Sequence, residues 1–451
     1  MFRPVLGTLA AWSASRAGYG WAESMQAATA ERVSATHGSG PVTLETIRRW
    51  DREDPLRAFR SRFELPPGVV YLDGNSLGAL SVDARRRIAD VVEREWGRDL
   101  IRSWNGNDWI DAPLRVGAKV AKLIGAREDE VIVSDSTSVN LFKLAFAALA
   151  AQPERKVLLS EPGNFPTDLY VLQGAIRSAG RDLELRLEPT ERLLEAIDEN
   201  TALVVLTHVH YKTAAMHDMR AITACAHEHG ALVLWDLSHS VGAVEVDLNA
   251  CGADMAVGCG YKYLNGGPGA PAFAFLAARH HERFVSPLSG WMGHQAPFEF
   301  DDGYAPAPGI RRFLCGTPPI LGLLALEQGV DLVLECGMPR LVEKSRRLCE
   351  LFIELTRHKC PHSKLLLVSP SVPERRGSHV SLAHPDGYAI MQALIERGVI
   401  GDFRSPDILR FGFTPLYVRY EDVWLAAEAL AEVLGSECWS DPRYSRRAAV
   451  T

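Results

Sequence analysis

The chain has 451 residues, of which 47% are hydrophobic and 23% charged, as in ordinary folded proteins. This composition excludes a mainly disordered, collagen-like or coiled-coil protein. Lys and Arg number 49 against 56 Asp and Glu, and the formal net charge of -7 gives no overall basic field to attract nucleic acid or anionic lipid. The longest apolar run, residues 144–151, is far shorter than the roughly 18 to 20 residues of a membrane-spanning helix. We therefore expect no nucleic acid and no membrane among the partners.

The 8 cysteines are spread from Cys225 to Cys438 and form no C-x-x-C pair. Small disulfide scaffolds space their cysteines densely, so these residues are expected to be reduced thiols of a cytoplasmic protein. Residues 1–41 carry only a weak apolar stretch behind Arg3, which is a poor targeting signal. We expect this region to be a mobile N-terminal extension.

From residue 42 onwards, helical patterns alternate with short apolar strands. Asp54 followed by Pro55 predicts a helix start, with the acid as N-cap and the proline in the first turn. Strands are predicted at residues 69–72, 131–134, 157–160, 202–207, 231–235, 255–258 and 272–276, and helices begin at Ser81 and Pro113 or cover residues 137–151, 168–179 and 219–229. Apolar strands separated by helices predict a mostly parallel sheet with helices on both faces.

After Pro319 the pattern changes to two long helices followed by shorter strands. The helices are predicted at residues 320–335 and 339–356, the strands at 365–368, 379–382 and 408–413, and a closing helix at 421–434. We interpret this part as a smaller α+β domain. The predicted division is an extension at residues 1–41, a segment at 42–70 that packs with the small domain, a large ligand-binding domain at 71–319 and a small domain at 320–451.

Two strands of the predicted sheet are followed by polar side chains that suit one kind of ligand. Asp236 follows one strand, and Lys262 follows the next between Tyr261 and Tyr263. In an open α/β sheet the carboxyl ends of the strands border the ligand crevice, so both should face one site. A lysine can form a Schiff base with an aldehyde, and a carboxylate can keep a pyridine nitrogen protonated. An isolated lysine is more often a surface residue, but surface exposure explains poorly a lysine between two tyrosines and ahead of Asn-Gly-Gly-Pro-Gly.

Two strand-to-helix turns carry further side chains suited to such a ligand. Thr137 and Ser138 open a predicted helix, where free backbone N–H groups and the helix dipole favour a phosphate. Phe165 stands at the start of a later helix, where its ring is able to stack on a planar ligand. Ordinary helix capping and a packed aromatic ring are the plain alternatives.

Several motifs follow one another in order along the chain. They are GNSLG (74–78), DSTSVNLFK (135–143), NFPTD (164–168), the pair Asp236 and His239, YKYLNGGPG (261–269), GWMGH (290–294), RRFLCGTPPIL (311–321), RGSHVSL (376–382) and DFRSPDILRFGFTPLY (402–417). Each is weak alone, but the ordered set, which extends over about residues 44–434, resembles the kynureninase family. The resemblance implies an α/β protein with the fold of fold-type I pyridoxal-phosphate enzymes, similar to class V aminotransferases, with a large domain that binds the cofactor and a smaller α+β domain.

Carried over position by position, the resemblance assigns the cofactor site. Lys262 would bind pyridoxal 5'-phosphate covalently, Asp236 would pair with the pyridine nitrogen and Phe165 would stack on the ring. The other cofactor-binding residues would be Thr137, Ser138 and Tyr261 at the phosphate, Asp168, Thr207 and His239 at further contacts, and Trp291 and Thr317 from the neighbouring subunit of a homodimer.

The reaction implied by the resemblance is hydrolysis of L-kynurenine to anthranilate and L-alanine, a step of tryptophan degradation. Lys262, Asp236 and Tyr261 would be the catalytic residues, with Tyr261 as an acid and base. A planar guanidinium suits the substrate carboxylate. The expected substrate-binding residues are Arg410, Arg404, Ser76 and Trp104.

The preference for the substrate's ring depends on two of these positions. A bulky Trp104 and a short Thr317 offer little polar accommodation for an extra hydroxyl, so we favour kynurenine over 3-hydroxykynurenine. Trp104 could equally fill the core beside Trp109.

Other functions stay open at this point. A cysteine desulfurase or selenocysteine lyase would share the fold and would need a loop cysteine, for which Cys315 is the candidate. A non-catalytic regulator that binds the cofactor usually carries a preceding DNA-binding domain, for which residues 1–41 are too short. His208 and His210 invite a metal interpretation, but no third ligand lies near them in sequence, and we expect no metal site.

Overall fold

The structure is a computed structural model that describes residues 31–32 and 42–447. The prediction that residues 1–41 form a mobile extension concerns residues outside this part of the chain, except for Glu31 and Arg32. The strands of the described part are β1 (Glu31–Arg32), β2 (Val70–Tyr71), β3 (Val131–Val133), β4 (Val157–Ser160), β5 (Glu184–Leu187), β6 (Thr201–Thr207), β7 (Leu232–Asp236), β8 (Met255–Gly258), β9 (Phe273–Leu276), β10 (Leu366–Leu367), β11 (His379–Ala383), β12 (Val399–Ile400), β13 (Asp402–Arg404) and β14 (Ile408–Gly412).

The helices of the same part begin mostly where the sequence offers a cap or a proline. Thr43, Ser81 and Ser136, for example, accept backbone hydrogen bonds at the starts of three of them. The helices are α1 (Leu44–Glu53), α2 (Val82–Asp90), α3 (Ser103–Gly106), α4 (Ala112–Leu123), α5 (Thr137–Ala151), α6 (Pro166–Ser178), α7 (Leu193–Ala196), α8 (Met219–Glu228), α9 (Ile320–Cys336), α10 (Met338–Lys359), α11 (Gly387–Glu396) and α12 (Tyr420–Ser436).

The large sheet has seven strands in the order β3-β9-β8-β7-β6-β4-β5. Strand β9 runs antiparallel to both of its neighbours, and the other neighbouring pairs are parallel. The register pairs Thr207 with Asp236 and Asp236 with Val257. The carboxyl ends of β6, β7 and β8 therefore meet at one edge of the sheet.

Each face of this sheet has its own core. Val204 and Val233 contribute to one hydrophobic cluster, whereas Leu203 and Leu232, their neighbours in sequence, contribute to the other. Because side chains alternate across a strand, a sheet that is buried on both faces needs apolar residues at successive positions. The predicted mostly parallel sheet between two helical layers is confirmed.

The C-terminal part carries a second sheet with the order β1-β10-β11-β14-β13, in which neighbouring strands are antiparallel. Strand β12 pairs in parallel with β2. Helix α1 is tied to α12, because the Asp51 carboxylate accepts the backbone N–H groups of Tyr420 at 2.8 Å and Glu421 at 2.9 Å. The exact division into domains stays a prediction.

The predicted helix start at Asp54 is wrong. Asp54 lies directly after α1, as its C-cap, and only a 3-10 helix, Arg57–Arg62, follows. The Asp54 carboxylate accepts the backbone N–H of Leu56 at 2.9 Å and lies 2.7 Å from Lys344 Nζ. Both oxygens of the Asp54 carboxylate are therefore occupied at the end of α1, and not at the start of a helix. Strand β5, at the exposed edge of the sheet, was missed because Glu-Leu-Arg-Leu carries no continuous apolar run.

Candidate active site

Two adjacent strands bring Asp236 and Lys262 to the same edge of the large sheet. Asp236 is the last residue of β7 and is buried, and its Oδ1 accepts the backbone N–H of Ser238 at 2.7 Å. Lys262, also buried, lies in the turn after β8. Its Nζ is 5.8 Å from the ring centre of Phe165 and 5.7 Å from that of Tyr261. The structure thus brings together four residues that the sequence assigned to one site.

Asp236 interacts with a second buried carboxyl group, that of Asp168 in the first turn of α6. Burial raises the pKa of Asp168 well above its ordinary range, and the Asp236 carboxylate adds to the rise. Burial also raises the pKa of Asp236, but the Ser238 hydrogen bonds and the Lys262 cation oppose that rise. The rise is therefore the larger for Asp168, so of the two carboxyl groups Asp236 ionises more readily.

Thr207 and His239 line the same edge. Thr207 Oγ1 donates to Asn164 Oδ1 at 2.6 Å and lies 3.4 Å from Asp168 Oδ2. His239 is buried, and burial together with the Lys262 cation lowers its pKa well below the ordinary value, so the ring is neutral. Within the described residues, His239 Nε2 and Asn164 Nδ2 have no hydrogen-bond partner. Buried polar atoms rarely stay unpaired, so both are suited to hold a ligand.

The start of α5 has backbone N–H groups that are suited to an anion. Ser136 Oγ accepts the backbone N–H of Val139 at 3.4 Å, and Thr137 and Ser138 occupy the first turn. The N–H groups of a first helical turn have no partner within the helix. The turn before α5 is fixed by Lys143, which is fully buried and donates to Asp135 Oδ2 at 2.8 Å and to a backbone carbonyl at 2.6 Å.

Arg410, Arg404 and Ser76, which were predicted to bind substrate, meet around one carboxylate. Arg410 is buried on β14, and its Nε donates to Asp402 Oδ1 at 2.6 Å while Nη2 donates to the other oxygen. Arg404 Nη2 donates to Asp402 Oδ2 at 2.7 Å, and so does Ser76 Oγ at 2.7 Å. Arg410 Nη1 donates to the backbone carbonyl of Tyr211.

Sequence reasoning assigned no role to Asp402 or to His379, although both lie in quoted motifs. Asp402 stands two residues before Arg404 on one strand, a spacing that places both side chains on one face and could have indicated an ion pair. His379 is buried with both ring nitrogens unpaired among the described residues, and its ring centre lies 5.8 Å from that of His239.

The remaining predicted residues lie elsewhere on the chain. Trp104 packs edge-on against Trp109 with the ring centres 6.0 Å apart, as the core alternative required. Trp291 and Thr317 lie exposed, and the Trp291 ring contacts that of Phe298 at 5.6 Å. Their assignments to the ligand site stay predictions.

The histidines considered as metal ligands bind protein groups. His208 Nδ1 lies 3.0 Å from Ser240 Oγ, and His210 Nε2 lies 2.9 Å from the Gly163 carbonyl. Across the described residues, no group of three or more His, Cys, Asp or Glu side chains is arranged to hold a metal ion. In the same part of the chain, no helix is both long and apolar enough to cross a lipid bilayer.

Comparison with known proteins identifies the family. A model of the kynureninase C-terminal domain matches residues 341–430, and a model of the DegT/DnrJ/EryC1/StrS aminotransferase family matches residues 114–258. A kynureninase of Burkholderia mallei is 51% identical over 415 residues, which cover 91% of this chain and 100% of the relative. A kynureninase of Pseudomonas fluorescens is 51% identical over 406 residues, covering 89% and 98%. The chain belongs to the kynureninase family.

Solved structures confirm the fold expected of a kynureninase. A cysteine desulfurase from Thermococcus onnurineus NA1 aligns with a TM-score of 0.70 at 18% identity, covering 88% of this chain and 100% of that one. The cystine C-S lyase C-DES, in complex with cysteine persulfide, aligns with a TM-score of 0.71 at 16% identity, covering 81% and 98%. At this identity the likeness concerns the fold alone.

Pyridoxal phosphate is the cofactor of the kynureninase family, and the residues at this edge of the sheet fit it. A buried lysine stands beside two aromatic rings, the carboxyl group of Asp236 lies close to it, and a helix start has N–H groups suited to a phosphate. The unpaired His239 Nε2 adds a buried polar atom without a protein partner among the described residues.

Proposed function

We propose that this protein hydrolyses the carbon–carbon bond of L-kynurenine next to its aryl ketone, giving anthranilate and L-alanine, with pyridoxal phosphate as cofactor. The observation that carries the proposal is the 51% identity to kynureninases over the whole length of the relative. Three buried residues support the proposal, because the reaction needs the group that each supplies. Lys262 is the lysine for the cofactor, Asp236 the carboxyl group for the ring nitrogen, and Arg410 the receptor for the substrate carboxylate.

Lys262 and Asp236 have the central roles in the proposed mechanism. When bound, the cofactor supplies a protonated ring that accepts the electrons released at the substrate's α carbon. Lys262 Nζ would hold the cofactor and, once released, would take the proton from the substrate's α carbon and return it before L-alanine leaves. The Asp236 carboxyl group would keep the ring nitrogen protonated, Phe165 would stack on the ring, and Asp168, Thr207 and His239 would make further contacts with the cofactor.

Tyr261 is the proposed acid and base for the later steps. Burial raises the pKa of its hydroxyl above the ordinary value, so the group is protonated at neutral pH and able to donate. Water adds to the substrate's γ carbonyl, and the bond between the β and γ carbons then breaks. Tyr261 would return a proton to the β carbon. Thr137 and Ser138 would bind the cofactor's phosphate.

We also propose that the protein is a cytoplasmic homodimer whose sites are shared between subunits. Trp291, Phe298 and Phe300 are exposed together on one chain, and exposed apolar surface of this kind favours an interface. Trp291 and Thr317 would then reach the partner's cofactor. All eight cysteines are free thiols, which supports a reducing compartment.

Kynurenine rather than 3-hydroxykynurenine is the proposed better substrate, with Trp104 and Thr317 beside the substrate ring. The competing desulfurase function is supported by fold likeness alone. Cys315, its candidate sulfur acceptor, is half-buried with Sγ 3.4 Å from the Leu288 carbonyl, and burial raises the pKa of the thiol. A raised pKa disfavours the reactive thiolate.

The experiment that separates these functions supplies the holoenzyme with L-kynurenine or L-cysteine. We expect anthranilate from kynurenine, no sulfide from cysteine, and unchanged kynurenine turnover in Cys315→Ser. Sulfide release from cysteine that is lost in Cys315→Ser, together with no anthranilate, would overturn the proposal.

A further inference from the structure

We propose, on the basis of the proposed function, that Asp402 is a positioning residue that orients Arg410 to receive the substrate's α-carboxylate. Asp402 is buried and lies opposite Arg410 in the antiparallel pair β13–β14, so the backbone ladder itself sets the two side chains against each other. Both carboxylate oxygens accept from one guanidinium, which is the geometry that most restricts rotation of an arginine.

The Asp402 contact decides which N–H groups of Arg410 remain for a ligand. A guanidinium has five N–H donors. Asp402 takes one from Nε and one from Nη2, and the Tyr211 carbonyl takes one from Nη1. This leaves one further N–H on Nη1 and one on Nη2, and the latter donates to Ser76 Oγ at 3.1 Å. A substrate carboxylate would accept the remaining N–H of Nη1 and would take the place of Ser76 Oγ at Nη2.

The balance of charges around Arg410 is a second argument for this role of Asp402. Arg410 is fully buried, and a buried cation without a partner is costly. Although burial opposes it, the hydrogen bonds and charge of Arg410 lower the pKa of Asp402, so the acid is ionised at neutral pH. While the neighbouring Asp73 is neutral, Arg404 and Arg410 together with one ionised Asp402 carry one net positive charge, which a single substrate carboxylate neutralises.

The test compares the wild-type holoenzyme with Asp402→Asn, which keeps the size of the side chain but removes its charge, and with Asp402→Glu. Two ligands report on the pocket through the visible absorbance of the bound cofactor: L-alanine, and L-alaninamide, in which a neutral amide replaces the carboxylate. We expect Asp402→Asn to raise the Kd of L-alanine by about 10- to 100-fold and to leave that of L-alaninamide within about twofold. The KM for kynurenine should rise in parallel, with a smaller change in kcat.

Asp402→Glu keeps the charge, and it should fall between the wild type and Asp402→Asn in L-alanine affinity. If Asp402→Asn does not fold with cofactor, Asp402→Glu decides alone, because the lengthened side chain displaces Arg410 without removing its partner. Unchanged L-alanine affinity in a folded variant, or an equal loss for L-alanine and L-alaninamide, would overturn the inference. A wild-type enzyme that binds L-alanine but releases no anthranilate would refute the proposed function and leave this test intact.

Discussion

At the scale of single residues, the most exacting prediction concerns Lys262. Lys262→Ala should abolish both the visible absorbance of the lysine-bound cofactor and kynurenine cleavage, because no other amine would hold the cofactor or take the α proton. The matched control is Lys122→Ala, which removes an exposed lysine paired with Glu128 at 3.2 Å. Absorbance spectra and anthranilate fluorescence measure both effects. Turnover retained in Lys262→Ala at the control's level would contradict the assignment.

The raised pKa of Asp73 predicts that substrate binding depends on pH. Burial raises its pKa to about 7, and the nearby Asp402 carboxylate adds to the rise while Arg410 and Arg404 oppose it. Below pH 7 the carboxyl is neutral, and above it the group is negative and repels a substrate carboxylate. The KM for kynurenine should therefore increase as the pH rises through about 7.

The control for this pH profile is Asp73→Asn, which is neutral throughout. The groups that face Asp73 are Asp402, Arg410, Arg404 and Ser76, and none of these is changed in the variant. KM measured from pH 6 to 8.5 should stay low and nearly flat in Asp73→Asn. The same increase in both proteins would show that another group causes it.

At the scale of secondary-structure elements, Lys143 links the start of α5 to a distant loop. Its Nζ binds Asp135 at 2.8 Å and the Phe313 carbonyl at 2.6 Å. Lys143→Met should lower the free energy of unfolding by about 1–3 kcal/mol, because the buried carbonyl loses its donor. It should also weaken cofactor binding, since the start of α5 is the proposed phosphate site.

Urea unfolding of the cofactor-free protein, followed by cofactor titration, measures both effects of Lys143→Met. Lys122→Met, at an exposed position of α4, is the matched control and should change stability by less than about 0.5 kcal/mol. Equal stability of the two variants would contradict the structural role of Lys143.

At the scale of the whole molecule, we predict a dimer of twice the chain mass in light scattering. Replacing the exposed aromatic residues, as in Phe298→Ser with Phe300→Ser, should shift the population towards monomer and lower activity, because Trp291 of the partner would no longer complete the site. Tyr170→Ser, at another exposed aromatic position, is the control. A fully active monomer would contradict the shared site.

The sequence predicted most of this architecture because its signals are local. Helix α5 and strands β4 and β8 have the predicted bounds, since apolar runs between caps and turns define them. The grouping of Asp236 and Lys262 followed from the rule that strand ends meet at one edge, and Phe165 was added by its position at a strand-to-helix turn and by the family resemblance. The spacing of Asp402 and Arg404 could have indicated an ion pair between them. The pairing of Asp402 with Arg410 across β13–β14 and the position of His379 in the pair β11–β14 are not displayed by a single sequence.

The most direct test of the central claim is the stoichiometry of the reaction. The holoenzyme is mixed with L-kynurenine, anthranilate is quantified by fluorescence, and L-alanine by amino-acid analysis of the same sample. The account predicts equal molar amounts of anthranilate and L-alanine, matching the kynurenine consumed. No anthranilate, or kynurenine consumed without L-alanine while the cofactor absorbance responds to the substrate, would contradict it.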